Sequence, residues 1–405
     1  MGADETHLPK HPRVAIAGYI GYGNVGDEAM LDQVIRMLQQ RGVSDIAVFT
    51  SGESAVARFH GVKCVAEIPG SLRQGLRMLL HGQLLEVLGT LRRSDLVVLA
   101  GGTVFAGTHL SVLYTWLFRS LLAKFFRCRL VFLSVGVGNL RRGISHVLVR
   151  RILALVDACS IRDKDEWRQI GEIAPDRRTV LSADLVFSFP TGGAVLPLPW
   201  FSKDACRPTV GFCLPCFFPA RHLSDDNARQ AAHIYRAAIA GLADNLQASG
   251  RYRVVFVSFQ SPFDEQEAEQ IASRMETPLE IVRLSGHPME EILSFFASLD
   301  YALAMRFHSV VLAAMTLTPF VSIEYSDKVT NLVDELGVRD YSIRYYMWQD
   351  QACPLTRDVL VSLFGKMVSN AGDLRSHLEK GLAIFRQRQT VNQELLSQVI
   401  SQGFQ

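Results

Sequence analysis

The chain has 405 residues, room for two or three domains at about 150 residues each. Hydrophobic residues make up 48%, which excludes a disordered, collagen-like or coiled-coil chain. Lysine and arginine number 42 against 40 acids, and a net charge of only +2 excludes a dedicated nucleic-acid binder.

Residues 1–12 read as a polar tail without the apolar core of a signal peptide, so the chain is expected in the cytoplasm. One unit then recurs: a short β-branched run, a glycine turn and a helical pattern. It occurs at 14–17 into Gly21-Tyr-Gly-Asn-Val-Gly26, at 96–100 into Gly101-Gly102, and at 130–134 into Gly136-Val-Gly138. Residues 45–50 and 158–161 are further strand candidates. Continuous apolar strands alternating with helices predict a parallel sheet covered on both faces. Residues 187–200 break the pattern with three prolines and two glycines, the composition of a linker. Alternation resumes with strands at 209–212, 253–258, 301–304 and 320–323 and a helix around 225–248, and helical pattern closes the chain at 370–400. The expected fold is two doubly wound α/β domains facing a cleft: 13–186 and 208–365, a linker at 187–207 and a helical segment at 366–405. Ligands of such sheets sit outside the carboxyl ends of the strands.

Two stretches raise the question of a membrane. Residues 96–118 carry no Asp, Glu, Lys or Arg, but Gly101, Gly102, Thr103, Gly107, Thr108 and His109 interrupt them, so strand, loop and helix are expected there instead of a span. Residues 71–93 are leucine-rich, basic and amphipathic. Core packing accounts for that pattern, and so does peripheral contact with an anionic membrane, at the inner face of the plasma membrane. Between Asp95 and Asp157 there is no acid at all, while Arg119, Lys124, Arg127, Arg129, Arg141, Arg142, Arg150 and Arg151 fall inside. Near-neutrality is thus an average over a basic N-terminal domain and a more acidic remainder.

Seven scattered cysteines, including Cys353, read as reduced thiols. Cys213-Leu-Pro-Cys216 has redox or zinc-ribbon spacing, but a structural zinc needs about four ligands and no second pair supplies them. A thioredoxin-like pair would open a helix, whereas this one follows a strand and precedes Phe217-Phe-Pro219. Two small residues near a strand end is the simpler reading. No metal site is expected.

Gly21-Tyr-Gly-Asn-Val-Gly26 matches a dinucleotide fingerprint between strand and helix. Against that, Asp27 and Glu28 put carboxylates where the helix dipole would hold a pyrophosphate. The second strand also ends Phe49-Thr-Ser51, without an acid for a ribose hydroxyl. Either Asp27 caps its helix, or the loop offers amides and a carboxylate to hydroxyls, which suits a sugar. Beyond the strand at 301–304 come Arg306 and His308. A guanidinium there can fork onto phosphate or carboxylate beside helix amides, and the imidazole exchanges protons near neutral pH; a plain surface turn is the alternative. Arg162 follows the strand at 158–161 directly, where a capped helix start with solvated charges is the other reading.

These residues resemble a family. Gly18-Tyr-Ile-Gly-Tyr-Gly-Asn-Val-Gly-Asp-Glu-Ala-Met-Leu31 looks like the opening motif of the polysaccharide pyruvyl transferases. Ala100-Gly-Gly-Thr103, Ser160-Ile-Arg-Asp163, Met305-Arg-Phe-His308 and Ser326-Asp-Lys-Val-Thr-Asn-Leu332 follow in the family's order and spacing, so the similarity covers roughly 13–337. Departures are Gly138-Asn139, where many members have Gly-Pro, and Gly211-Phe-Cys-Leu-Pro-Cys216, where relatives often place a polar residue and an arginine. The resemblance implies a glycosyltransferase-B-like fold. It also implies transfer of pyruvate from phosphoenolpyruvate onto two hydroxyls of a sugar, oligosaccharide or lipid-linked saccharide as a cyclic ketal.

The family's phosphoenolpyruvate-binding arginines and catalytic histidine match Arg162, Arg306 and His308. Lys328 is a further cation for the donor, and Asn24, Glu28, Gly101 and Gly102 are further substrate contacts. His308 is expected to protonate the methylene, and Asp27 or Glu28 to accept the attacking hydroxyl's proton. No cofactor beyond the donor is implied. Two other functions fit the same scaffold: a sugar-nucleotide-dependent glycosyltransferase, and a non-catalytic scaffold in a surface-polysaccharide complex.

Overall fold

The computed structural model describes residues 11–107, 110–138, 140, 143–192, 195–216, 226–345 and 355–402. Most of the tail 1–12, Thr108, His109, Asn139, Arg141, Arg142, the run 217–219 and Cys353 lie outside the described residues.

The chain divides into two compact units, of which the first takes the described residues up to Phe189 together with those from Phe385 onward. Its elements are β1 (Val14–Ala17), α1 (Val25–Gln39), β2 (Ile46–Thr50), α2 (Ala55–Phe59), β3 (Lys63–Ala66), α3 (Leu72–Leu80), α4 (Leu84–Arg93), β4 (Leu96–Ala100), β5 (Thr103–Phe105), α5 (Leu110–Phe125), β6 (Arg129–Val137), α6 (Ile144–Leu155), β7 (Ala158–Ile161), α7 (Lys164–Ile173) and β8 (Thr179–Leu181). The strands form one parallel sheet in the order β3-β2-β1-β4-β6-β7-β8, with β5 on β6. β1 pairs with β2 on one side and β4 on the other, Val14 lying opposite both Ile46 and Leu96. Every residue of β1 and β4 is buried, as a parallel sheet covered on both faces requires. Strand order reverses between β1 and β4, and there the two glycine loops leave the sheet.

The second unit, Pro190–Ile384, contains β9 (Thr209–Cys213), α8 (Asp226–Ala248), β10 (Arg253–Ser258), α9 (Phe263–Ala272), β11 (Ile281–Arg283), α10 (Met289–Ser298), β12 (Tyr301–Ala304), α11 (Phe307–Met315), β13 (Phe320–Glu324), α12 (Asp327–Glu335), β14 (Ser342–Arg344), α13 (Arg357–Ser369) and the start of α14 (Ala371–Gln402). Its parallel sheet runs β11-β10-β9-β12-β13-β14 and reverses between β9 and β12. Both sheets are therefore doubly wound, as expected. Among the described residues no helix is long and apolar enough to cross a membrane.

Strands missed by the apolar pattern, β3, β8, β11 and β14, are three or four residues long, lie at sheet edges and are only partly buried. An edge strand needs no continuous apolar run, so it leaves little trace. The glycine turn expected at Gly136-Val-Gly138 is instead the end of β6, kept in the sheet because β5 pairs Thr103 with Gly136 and Phe105 with Val137.

In place of a separate helical segment at 366–405, α14 passes from the second unit into the first. Asn392 on α14 is fully buried, accepts a hydrogen bond from the Ser160 hydroxyl and donates to the Ala183 carbonyl. Phe187 stacks on Phe385 at 4.6 Å between ring centroids. The expected linker at 187–207 therefore loses its first residues to the core of the first unit.

Candidate functional site

In the first unit the loop between β1 and α1 carries Gly21 at φ 81° and Gly23 at φ 70°. Asn24, not Asp27, caps α1, its side-chain oxygen accepting the Gly26 amide at 3.1 Å, so the helix starts at Val25, two residues earlier than Asp27. Glu28 reaches back: one oxygen accepts the Gly21 amide at 3.0 Å and the other the Ser54 hydroxyl at 2.5 Å. Its carboxylate thus braces the loop. Asp27 is buried in the first turn of α1. A methyl group on Gly21 would sit 2.1 Å from Thr50 Oγ1, in a left-handed backbone. Gly21→Ala should therefore cost about 1–3 kcal/mol, and a denaturant midpoint equal to wild type would show that the loop relaxes freely.

The same loop holds Tyr19 and Tyr22 stacked at 3.9 Å with planes 5° apart, both rings exposed. Partial burial raises the Tyr22 phenol above its ordinary range, with the Glu67 carboxylate adding to the effect. Neighbouring Gly101 and Gly102, at φ 59° and 83°, turn the chain after β4, and a methyl on Gly101 would strike Met30 of α1.

Arg162 follows β7 as expected but is not solvated. It is 7% exposed and its guanidinium pairs with Asp184 at 2.8 Å. Asp163, the next residue, caps α7 by accepting from Asp165 and Glu166. Gly136 makes room for this arginine, because a side chain there would meet its guanidinium at 3.0 Å.

In the second unit, Arg306 and His308 leave the sheet at its reversal point. The amides of Met305 and Arg306 both donate to the Cys213 carbonyl, tying the end of β12 to the end of β9. Arg306 is the N-cap residue of α11, and His308 is the second residue of that helix, edge-on to Phe307 at 5.2 Å. The Arg306 guanidinium pairs with Asp264, which is 3% exposed. Asp264 also accepts the amides of Phe259, Gln260 and Cys216, at 2.8, 2.9 and 3.3 Å. Arg306 Nε is buried and finds no hydrogen-bond partner among the described residues.

On the adjacent strand, β13 feeds α12, whose N-cap Ser326 has a buried hydroxyl likewise without a partner among the described residues. Lys328 is in the first turn of that helix. Two neighbouring helix N-termini thus carry buried donors with unspent capacity. Burial pushes the Cys213 and Cys216 thiols up, and Asp264 acts in the same direction on both. They are thiols at neutral pH, poor nucleophiles and poor metal ligands. Among the described residues no group of three or more His, Cys, Asp or Glu is placed to hold a metal ion.

The family model for polysaccharide pyruvyl transferases matches residues 24–327. The chain belongs to that family. Membership makes it a transferase of polysaccharide modification. The matched stretch includes Arg162, Arg306 and His308, while Lys328 falls one residue beyond it. No curated protein shows significant sequence similarity to the chain. Among solved structures, the chain is similar to HepE of Anabaena in complex with UDP and glucose, at 13% identity and TM-score 0.57, covering 96% of this chain and 99% of that one. MnaA of S. aureus with UDP aligns at 9% identity and TM-score 0.63, covering 96% of each chain. UDP-GlcNAc 2-epimerase from Neisseria meningitidis bound to UDP-GlcNAc aligns at 10% identity and TM-score 0.58, covering 95% of this chain and 99% of the other. At such identities the likeness concerns the fold, the glycosyltransferase-B-like pair of α/β domains.

The expectations missed Asp184, Gly136, Asp264 and Ser326. Asp264 left a faint signal, an acid in the first turn of a helix, but Glu265 beside it left the same one. Only the fold distinguishes the two.

Proposed function

We propose that this pyruvyl transferase moves pyruvate from phosphoenolpyruvate onto two hydroxyls of a saccharide, forming a cyclic ketal and releasing phosphate. The observation that supports it most is the pair of buried donors, Arg306 Nε and Ser326 Oγ, at the starts of neighbouring helices. Buried donors are nearly always satisfied, and helix N-termini favour anions. A phosphate or carboxylate satisfies both donors. Lys328 adds a positive charge in the first turn of α12, and the family resemblance assigns Arg162 of the first unit to the donor as well.

His308, as imidazolium, protonates the methylene carbon of the enol. The electron pair of the double bond forms the new C–H bond and leaves C2 cationic, and a sugar hydroxyl adds to C2 and gives up its proton to a base. Asp27, buried in the first turn of α1, is the proposed acceptor. Phosphate then leaves with the C–O electron pair, and the second hydroxyl closes the ring, losing its proton to the departing phosphate. The balance requires no cofactor beyond the donor. For the acceptor, the stacked Tyr19 and Tyr22 beside Asn24, Gly101 and Gly102 offer an aromatic surface and backbone groups suited to the apolar face and hydroxyls of a sugar.

Phosphoenolpyruvate at a hundredfold excess over its Kd should stabilise the protein by about 2.7 kcal/mol, raising Tm, with UDP-sugars giving no shift. Phosphate release with candidate acceptors, followed by mass analysis for an added pyruvyl group, completes the test. Stabilisation by a nucleotide sugar and not by phosphoenolpyruvate would replace this reading with a glycosyltransferase. No shift with either would favour a non-catalytic scaffold.

A further inference from the structure

The leucines of α3 are not core residues, whereas Leu91 of α4 is. On α3, Leu72, Leu76, Leu79 and Leu80 are 80%, 61%, 48% and 79% exposed, and Met78 alone of that helix is buried. Their spacing puts them on one stripe of the helix, facing water. Leu85, at the start of α4, is 70% exposed. A stripe of this kind on a soluble surface marks an interaction site.

The stripe belongs to a layer. The chain moves in one direction along the sheet from β3 to β4, β4 to β6 and β6 to β7. Right-handed crossovers therefore set α3 to α6 on one face, opposite α1 and α2. Met78, Val87, Leu113, Ala123 and Leu148 from these four helices share one core cluster beneath that layer. Its outer side adds Tyr114, Leu121 and Phe125 of α5 and Ile144 and Val147 of α6, all exposed.

Charge on this layer is predominantly positive. Arg73 and Arg77 flank the leucine stripe, both exposed, and Arg92, Arg93, Arg127, Arg150 and Arg151 are exposed further along. Of the acids nearest in sequence, Glu67 pairs with Arg119 at 3.0 Å, Glu86 with Lys63 at 2.7 Å and Asp157 with Lys124 at 2.5 Å. Between Asp95 and Asp157 no acid occurs. Apolar side chains ringed by arginine match one occupant by charge and by shape: the interface of an anionic bilayer, which takes leucine and phenylalanine below its headgroups and arginine among its phosphates.

We infer that the α3–α6 layer of the first unit docks the enzyme peripherally on an anionic membrane surface, with the α3 leucine stripe inserted. This goes beyond the reaction proposed above and does not depend on the identity of the donor.

The full chain is mixed at low salt with vesicles of phosphatidylcholine alone or with phosphatidylglycerol, and pelleted. Binding is expected to the anionic vesicles and to fall with added salt. Arg73→Gln/Arg77→Gln should weaken it by about tenfold or more, and so should Leu76→Ser/Leu80→Ser. These four positions are exposed and outside the proposed reaction machinery, so Tm and phosphate release in free solution should stay at wild-type values. Wild-type protein that stays in the supernatant, or leucine variants that pellet as well as wild type, would overturn the proposal. Sedimentation velocity covers the rival occupant. A wild-type dimer that the leucine variant converts to monomer would make this face a contact between two copies instead.

Discussion

His308→Ala should lower turnover by about 10²–10⁴-fold, the usual contribution of a well-placed general acid, while phosphoenolpyruvate still raises Tm. In the proposed reaction, proton transfer to the methylene carbon is the step that needs this side chain. The same proposal assigns donor binding to Arg306 Nε, Ser326 Oγ and Lys328, which the substitution leaves in place. His308 is half-buried at the second position of α11, so its loss removes little packing and should not unfold the helix. The measurement is phosphate release under saturating donor and acceptor, with the Tm shift recorded alongside. Wild-type turnover in His308→Ala would remove the histidine from the reaction. A fall in turnover with the donor-induced shift also gone would make it a binding residue.

Asp264→Ala is expected to cost about 3–5 kcal/mol in stability, the range for removing one partner of a buried ion pair. The carboxylate is 3% exposed and holds the Arg306 guanidinium together with three backbone amides, those of Cys216, Phe259 and Gln260. Alanine strands all of these donors and leaves the guanidinium without its counter-charge. Asp264→Asn keeps an acceptor for the amides and loses only the charge, so it should fold and be less destabilised. In that variant Arg306 loses its anchor, and KM for phosphoenolpyruvate should rise more than kcat falls. Denaturant midpoints for both variants, with steady-state kinetics for Asp264→Asn, check the pair. A loss below about 1 kcal/mol in Asp264→Ala would mean that the carboxylate is replaceable, and an unchanged KM in Asp264→Asn would separate Arg306 from the donor.

Much of the scaffold was legible before any coordinates. Strands at 96–100, 158–161, 253–258 and 301–304 occur where the apolar runs place them, because a strand buried on both faces has to be apolar throughout. Arg162, Arg306 and His308 could be named for a related reason: each lies within four residues of the end of such a strand, at the edge where parallel sheets bind ligands. The motif order carried the family, and its model matches over residues 24–327.

Contacts distant in sequence were not legible. Arg162 with Asp184, Arg306 with Asp264, and Ser160 with Asn392 are 22, 42 and 232 residues apart, and no local pattern marks one acid among its neighbours as the one that folding brings to a given arginine. Capping shifted for a smaller reason: Asn24 and Asp27 are both good caps, and only the backbone at Asn24 is extended as a cap must be.

The opening charge balance shows where the division falls. The sequence alone determined that basic residues concentrate in the first unit and that 71–93 is amphipathic, since both are properties of order along the chain. It left the direction of the amphipathic face open, because a leucine stripe one helix turn apart reads the same whether it faces a sheet or water. Tertiary structure decided that. The core beneath α3 to α6 is filled by Met78, Val87, Leu113, Ala123 and Leu148, and close packing leaves no room there for the leucines of α3, so they face outward beside Arg73 and Arg77.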